Sequence, residues 1–189
     1  MKRFLWLCLL LACGSATALD WKVGEPGVLA SPANGGFTIQ PPSGWFYTSR
    51  TGVFAAAHNG ALLDFIRITQ TPYDRAVKNF KKPISIDTPP EELAEDYVAA
   101  LQKEGMREMN VLSTEPVEVG GRPAFRMHLE YRLPEGYGGA QMEEITLGAT
   151  TENGVLLAHY FGAKIHYFQT SLPAAEEALR TLAFVPLTK

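Results

Sequence analysis

Strict alternation of apolar and polar side chains over residues 124–133 is the feature that most restricts the fold. Phe125 and Met127 point to one face of a predicted strand, whereas Arg126 and His128 point to the other. Such a strand is typical of an antiparallel sheet with one face packed on a core. The chain has 189 residues, of which 46% are hydrophobic, and this predicts one domain with a substantial core.

Two Asn-Gly pairs predict further antiparallel hairpins. They are Asn59-Gly60, between segments 52–58 and 61–68, and Asn153-Gly154, between segments 144–150 and 155–161. Asn-Gly readily adopts the two positive φ angles of a type I′ turn, so each pair predicts a two-residue turn. The loop 134–141 returns the alternating strand to a strand that begins at Glu144.

Two helices are predicted from capping signals and apolar spacing. Residues 88–91, Thr-Pro-Pro-Glu, form a capping box with proline in the first turn. The first helix carries an apolar stripe formed by Leu93, Tyr97, Val98 and Leu101. The second starts near Ser171 and carries Leu172, Ala175, Leu179 and Leu182 at helical spacing. Hairpins with a helix in the middle and one at the end predict an α+β fold, an antiparallel sheet with helices packed on it.

The N-terminal residues predict an export signal. Lys2-Arg3 precede an apolar run over residues 4–12 that is too short to cross a bilayer as a helix, for which about 20 residues are needed. Ala16-Thr17-Ala18 matches a signal-peptidase site, which gives a signal peptide over residues 1–18. Residues 10–13, Leu-Leu-Ala-Cys, instead resemble a lipobox, which gives a signal over 1–12 and acylation of Cys13. Either cut predicts a periplasmic protein, and the second adds a lipid anchor.

The rest of the chain divides into an arm and one domain. Residues 19–35 are rich in Gly, Pro, Ala and Ser and predict a flexible N-terminal arm, so the α+β domain occupies 36–189. Neither Cys8 nor Cys13 remains as a thiol in the mature domain, which excludes a disulfide scaffold and thiol catalysis. The net charge of −3 excludes a nucleic-acid binder held by overall charge.

The order of these segments resembles a known family. A strand at 37–39 leads to Pro41-Pro42-Ser43-Gly44-Trp45, the hairpin and the first helix follow, and residues 117–124, Val-Glu-Val-Gly-Gly-Arg-Pro-Ala, enter the long strand. This pattern, over most of residues 36–186, resembles the PsbP-like α/β/α sandwich and in particular the DcrB-like bacterial envelope lipoproteins. The resemblance implies binding of other proteins without a shared active site.

No motif for catalysis or for a cofactor is found. The sequence has no nucleophile elbow, zincin motif, phosphate-binding loop or dinucleotide fingerprint, so we expect no catalytic residue, no cofactor and no metal site. The adjacent Glu143 and Glu144 point to opposite faces of their strand and therefore form no carboxylate dyad.

Strand register predicts one polar–aromatic face. A symmetric 134–141 loop places His128 opposite Thr146 and Glu130 opposite Glu144, and the Asn153-Gly154 turn places Gly148 opposite His159. The predicted docking face then consists of Arg126, His128, Glu130, Arg132, Glu144, His159 and Phe161. His128 and His159 would lie roughly 10 Å apart, too far to share a metal. The plain alternative is an ordinary solvated sheet face.

A basic segment is the second candidate. Residues 75–82 contain four cations around one aromatic ring: Arg75, Lys78, Lys81 and Lys82 around Phe80. Such a group can contact an anionic lipid head group, while the plain alternative is a solvated loop between strand and helix.

Three functions are therefore carried forward. The first is a non-enzymatic accessory or adaptor protein of the bacterial envelope that binds a protein partner. The second is a carrier of a small apolar molecule or lipid, which a large apolar cavity would favour. The third is an unrecognised hydrolase that uses His128 or His159. Contact with the membrane is expected only through an acylated Cys13 and, at the basic segment, an anionic lipid.

Overall fold

The computed structural model of the protein describes residues 20–61, 63–75, 80 and 83–186. Antiparallel pairing of strands organises this part of the chain. The strands are β1 (Lys22–Val23), β2 (Phe37–Thr38), β3 (Phe46–Arg50), β4 (Val53–Gly60), β5 (Asp64–Thr71), β6 (Arg107–Val119), β7 (Arg122–Arg132), β8 (Gln141–Thr151), β9 (Gly154–Ala163) and β10 (Ala183–Phe184). The helices are α1 (Pro90–Lys103) and α2 (Tyr167–Arg180). The predicted signal peptide and Cys13 lie outside the described residues.

Within those ranges, eight strands form one antiparallel sheet in the order β1-β3-β4-β5-β9-β8-β7-β6, and β2 pairs with β10. Helix α1 packs mainly on β6, β7 and β8, whereas α2 packs on β9, β5 and β8. Leu129 of β7 shares a core with Leu93 of α1, and Ile145 of β8 shares a separate core with Ala175 of α2. The two helices therefore lie on opposite faces of the sheet, and the predicted α+β fold is confirmed.

Helix α1 buries the stripe that its spacing predicts. Leu93, Tyr97 and Leu101 are buried against the sheet. The predicted cap is wrong, because the helix begins after Pro89 and no side chain caps it. The hydroxyl of Thr88 instead accepts a hydrogen bond from the Ser85 amide, 3.0 Å away, in the preceding turn.

Helix α2 begins earlier than predicted, at Tyr167 rather than near Ser171. Phe168 in its first turn is fully buried and stacks on Tyr160 with 5.1 Å between ring centroids. This packing explains why the helix includes an additional turn before Pro173, which lies inside it.

The two Asn-Gly pairs join hairpins, but neither forms the predicted two-residue turn. Strand β4 continues through Gly60, which pairs with Asp64, and the register shifts after Ala57. The Asp64 carboxylate accepts the backbone N–H of Asn59 at 2.7 Å, which holds this irregular end.

In the second hairpin Thr151 pairs with Gly154, so the turn lies at residues 152 and 153. His159 consequently pairs with Thr146 rather than with Gly148. This shift of two residues leaves every β9 side chain on the face that was expected.

The loop between β7 and β8 closes one residue earlier than a symmetric loop would. Leu133 donates its backbone N–H to Ala140 O at 2.9 Å, and Arg132 pairs with Gln141. A 3₁₀ turn at Glu135–Tyr137, followed by Gly138 at φ 87°, completes this tighter closure. The predicted pairing of Glu130 with Glu144 is therefore wrong.

Residues 20–35 lie against the domain, although their composition predicts a flexible arm. Strand β1 pairs with β3, and Ala30 is buried and bridges to Ile39. The backbone N–H of Gly24 also donates to Trp45 O at 2.8 Å. The domain therefore includes these residues. No helix in the described ranges is long and apolar enough to cross a membrane.

Candidate functional site

The one-residue difference at the 134–141 loop divides the predicted polar face between the two sides of the sheet. A slip of one residue moves every side chain of a strand to the opposite face. The α2 side carries Arg126, His128, Glu130 and Arg132, and the α1 side carries Glu144, His159 and Phe161. The prediction of one continuous face is therefore wrong.

The predicted residues on the α2 side are bonded within the chain. The ion pairs are Arg126 with Glu115 (2.9 Å) and Glu176 (2.7 Å), Lys164 with Glu130 (2.6 Å) and Arg132 with Glu108 (2.9 Å), and His128 is hydrogen-bonded to Glu143 at 2.7 Å. Phe168 of α2 also stacks on His128, with 5.8 Å between the ring centroids. These side chains hold α2 and the neighbouring strands together, and each charge already has a partner.

The predicted residues on the α1 side meet at a cleft of about 780 Å³. The cleft forms because α1 packs on β6, β7 and β8, whereas the sheet continues beyond it through β9 and β5. Leu157, His159 and Phe161 of β9 line it. Its volume lies within the range of about 300–1,000 Å³ that is common for small-molecule sites.

A buried carboxylate, Glu144, lies at this cleft. Its Oε1 accepts hydrogen bonds from the Tyr97 hydroxyl at 2.5 Å, from the Thr146 hydroxyl and from His159 Nδ1 at 3.0 Å. Its Oε2 accepts a hydrogen bond from the Tyr131 hydroxyl at 2.8 Å. Each of these bonds stabilises the ionised form of the carboxylate.

The pKa values of the cluster follow from these contacts. Burial raises the pKa of Glu144, but the hydrogen bond and charge of His159, with the hydroxyls of Thr146 and Tyr97, outweigh it and leave the pKa below its ordinary value. Burial, together with the charge of Glu144, raises the pKa of Tyr97 and Tyr131 well above normal. The cluster therefore consists of one carboxylate surrounded by protonated donors.

His159 is the member of the cluster that is accessible to a ligand. Because Glu144 is ionised and accepts, His159 Nδ1 carries the hydrogen of their bond. Tyr97 stacks on the imidazole with 5.3 Å between ring centroids, and the His159 side chain keeps 13% of its surface exposed. In the described ranges no protein group is hydrogen-bonded to its other nitrogen, Nε2.

The lining of the cleft differs between its two ends. The β5 end carries hydrogen-bond donors: Arg67, Thr69, Thr71 and, just after the strand, Arg75. The end under the C-terminal half of α1 is mostly apolar and is lined by Leu101, Met106 and Leu133, with Glu104 at the end of the helix. The cleft is thus amphipathic along its length.

Part of the predicted basic segment belongs to the same cleft. Arg75 and Phe80 line it, so the structure joins the basic segment to the sheet residues His159 and Phe161. Lys78, Lys81 and Lys82 lie outside the described residues.

The residues of the site that were not predicted from the sequence include Tyr97, Tyr131, Thr146 and Arg67. Tyr97 and Tyr131 lie in the apolar stripes of α1 and β7, where they were assigned to the core. A buried tyrosine hydroxyl needs a polar partner, so two such residues were a signal for a buried acceptor. The sequence did not indicate that Glu144 was this acceptor.

The geometry suits ligand recognition. A carboxylate that orients an imidazole also occurs in hydrolases, where the other ring nitrogen contacts a hydroxyl or thiol nucleophile. Among residues 20–61, 63–75, 80 and 83–186, no such group is bonded to His159 Nε2. Nor does this part of the chain contain three or more His, Cys, Asp or Glu side chains grouped to hold a metal.

Comparison with known proteins identifies the fold. No family model and no curated protein sequence matches the chain. PA94 from Pseudomonas aeruginosa, a protein of unknown function, aligns over 72% of this chain and 83% of its own, with a TM-score of 0.51 and 12% identity. A protein from Bacteroides thetaiotaomicron aligns over 86% of this chain but only 50% of its own, with a TM-score of 0.51 and 16% identity.

A third similar structure is the cyanobacterial PsbP, CyanoP, from Synechocystis sp. PCC 6803. It aligns over 93% of this chain and 98% of its own, with a TM-score of 0.47 and 10% identity. At such identities, the likeness to PA94 and to the Bacteroides protein concerns the fold alone.

Proposed function

We propose that the protein is an exported, non-catalytic binding protein of the bacterial envelope that carries a small apolar or amphipathic molecule in the α1-side cleft. The observation that carries this proposal is the cleft itself, about 780 Å³ in volume and lined by Leu101, Leu157 and Phe161. Of the functions expected from the sequence, the carrier is the one that a large apolar cavity favours.

The limited cover of the sheet by α1 supports this function. Phe161 is only partly buried and contacts Phe65 of β5 with 5.4 Å between ring centroids. Apolar rings left beside a recess gain from excluding water, by about 25 cal/mol per Å² of apolar surface buried. An apolar ligand seated there would complete a core that α1 covers only in part.

Filling the cleft tests the proposal. N-phenyl-1-naphthylamine, a neutral probe that fluoresces in apolar sites, is expected to bind the purified protein. Thr69→Trp on β5 places an indole in the cleft and should abolish the fluorescence, because Thr69 lines the site. The matched control Thr114→Trp lies on exposed β6 and should bind like wild type. Equal binding by both variants would place the probe elsewhere and overturn the carrier.

The envelope location rests on the N-terminal sequence and on the resemblance to DcrB-like lipoproteins. Lys2-Arg3 and the apolar run 4–12 support export, and Cys13 supports a lipid anchor. Intact mass of the mature chain from a bacterial host tests both. A chain that starts at acylated Cys13 or at Leu19 supports export by one route or the other, and an uncleaved cytosolic chain contradicts it.

A protein partner remains the second candidate, and the observation that favours it is strand β6. This 13-residue strand ends the sheet, so its outer backbone groups have no neighbouring strand in the described part of the chain. Val111 and Leu112 on it are 42% and 44% exposed. An exposed edge of this kind can pair with a strand of another chain.

Site-specific crosslinking in envelope preparations tests this candidate. A photoreactive residue at Val111 should give one adduct of discrete mass if the edge is a docking site. The same residue at Thr170, which is exposed on α2, is the control. No adduct at residue 111, or the same adduct at both positions, would eliminate the docking role of β6.

A further inference from the structure

We propose that the cleft selects an anionic amphiphile, a single-chain molecule whose carboxylate or phosphate-monoester head group binds at Arg67 and His159. This inference rests on the carrier function and specifies its ligand. The head group would lie at the β5 end of the cleft, and the apolar body would extend under α1.

Arg67 and His159 form the head-group site because they are direct cross-strand neighbours. Their positions are paired between β5 and β9, on the face of the sheet that lines the cleft. Directly opposed side chains have Cβ atoms about 5 Å apart, a separation at which both can contact one anion. An arginine fork matches the oxygen atoms of a carboxylate or phosphate, and so does an imidazolium, whose Nε2–H is free for a ligand in the described part of the chain while its Nδ1–H is bonded to Glu144.

Arg67 has its charge available for a ligand. It is exposed, and no carboxylate among the described residues lies within ion-pair distance of it. Arg126 and Arg132 of the α2 side differ, because they are bonded to glutamates at 2.7–2.9 Å. Within the described part of the chain, Arg67 therefore borders a recess without the carboxylate partner that Arg126 and Arg132 have.

The neighbouring side chains add donors at the same end. Thr69 and Thr71 follow Arg67 on the same face of β5, and their hydroxyls line the cleft. Arg75 lines it after the strand. An anionic head group would find two guanidinium groups, two hydroxyls and the imidazole at this end.

The acidic residues of the cleft do not favour a cationic ligand. Glu144 already accepts four hydrogen bonds, from Tyr97, Thr146, His159 and Tyr131, so its charge is compensated within the protein. Glu104 lies beyond the end of α1 and influences Tyr131 on β7, which is separated from β5 by two strands. The acidic and basic ends of the cleft are thus distinct.

The apolar body of the ligand has a matching surface. Leu101 of α1 and Leu133, which follows β7, line the other end together with Met106. A head group alone would leave this surface in water, whereas an alkyl chain would cover it. The charge and the apolar surface together therefore favour an amphiphile over a free anion.

Displacement of the neutral probe N-phenyl-1-naphthylamine by a matched set of dodecyl compounds tests the inference. We expect dodecanoate and monododecyl phosphate to bind at least about tenfold more tightly than dodecanol, since one charge-assisted hydrogen bond accounts for about that factor. Dodecylamine should bind most weakly. Acetate and inorganic phosphate should not displace the probe, which distinguishes an amphiphile from a free anion.

Variants locate the head group. Arg67→Gln should weaken the binding of both anions about tenfold and leave the binding of dodecanol unchanged. The matched control Arg180→Gln, at an exposed position at the end of α2, should change neither. His159→Gln serves as the second variant, and thermal unfolding checks that each protein is folded.

Each outcome bears on a different claim. Equal binding of dodecanoate and dodecanol, stronger binding of dodecylamine, or binding of acetate or phosphate alone would overturn the inference and leave the carrier function standing. Binding of the probe without displacement by any dodecyl compound would also overturn the inference and leave the carrier function standing. Failure of the probe itself to bind would overturn both.

Discussion

Glu143 and Glu144 are adjacent in the chain, lie on opposite faces of the sheet, and each bonds a histidine. Glu143 contacts His128 Nε2 at 2.7 Å, and α2 adds a hydrogen bond from Gln169 at 3.1 Å. Glu144 contacts His159 at 3.0 Å beside a cleft of about 780 Å³. The same pair of residue types thus has two settings, one packed under α2 and one bordering an open recess.

The difference lies in how each helix covers the sheet. Phe168 of α2 stacks on His128, so the first pair is part of a helix–sheet contact. Helix α1 stacks Tyr97 on His159 of β9 but packs mainly on β6, β7 and β8. A glutamate–histidine pair is therefore structural or available to a ligand according to the element that packs over it.

The largest effect is expected from truncating one phenylalanine on each side. Phe168→Ala should lower the free energy of unfolding by about 4 kcal/mol, because its ring is fully buried under α2. Phe161→Ala, the matched change at the cleft, should cost less than about 2 kcal/mol, because that ring is only partly buried. Urea unfolding measures both. Equal losses would mean that the two sides are packed alike.

A smaller effect is expected from the two glutamates. Glu144→Gln should cost about 3 kcal/mol, because it places an amide NH₂ among buried donors and removes the charge that balances them. Glu143→Gln should cost about 1 kcal/mol, because an amide oxygen still accepts from Gln169 or His128. Urea unfolding of both variants checks the difference, and a larger loss at position 143 would reverse the assignment.

The smallest effect concerns pH. The pKa of Glu144 is lower in the folded protein than its ordinary value of 4.5. As the pH falls through 4.5, the unfolded chain therefore binds a proton at this residue before the folded protein does. The stability that Glu144 contributes is therefore present above pH 4.5 and is lost as the pH falls below it.

Unfolding measured between pH 6 and 3 should show a shallower loss of stability for Glu144→Gln than for wild type. His159→Gln should also make it shallower, because His159 is the main group that lowers this pKa. An unchanged slope in Glu144→Gln would show that the carboxylate has no lowered pKa in the folded state.

Local patterns predicted most of the fold. The alternation over residues 124–133 identified the side chains of β7 that are buried, including Phe125 and Leu129, and the spacing of α1 identified Leu93 and Tyr97. Strand β6 was not predicted, because residues 117–124 were interpreted only as the entry to the long strand. Most β6 residues are exposed at the sheet edge, so the strand lacks a clear apolar period.

The candidate site was predicted only in part. Glu144, His159 and Phe161 were selected, but they were grouped with Arg126 and other β7 residues that lie on the opposite face. The error arose in one loop, because closure at Leu133 and Ala140 changes the register of β8 by one residue.

The sequence by itself determined which side chains of each strand and helix share a face, since periods of 2 and 3.6 residues are local properties of the backbone. Only the tertiary structure decided which strand faces combine, because register depends on how a loop closes. The tertiary structure also decided where the cleft lies, because contacts between residues far apart in the chain place α1 on one face of the sheet that contains β5. The tertiary structure thus placed Arg67 opposite His159.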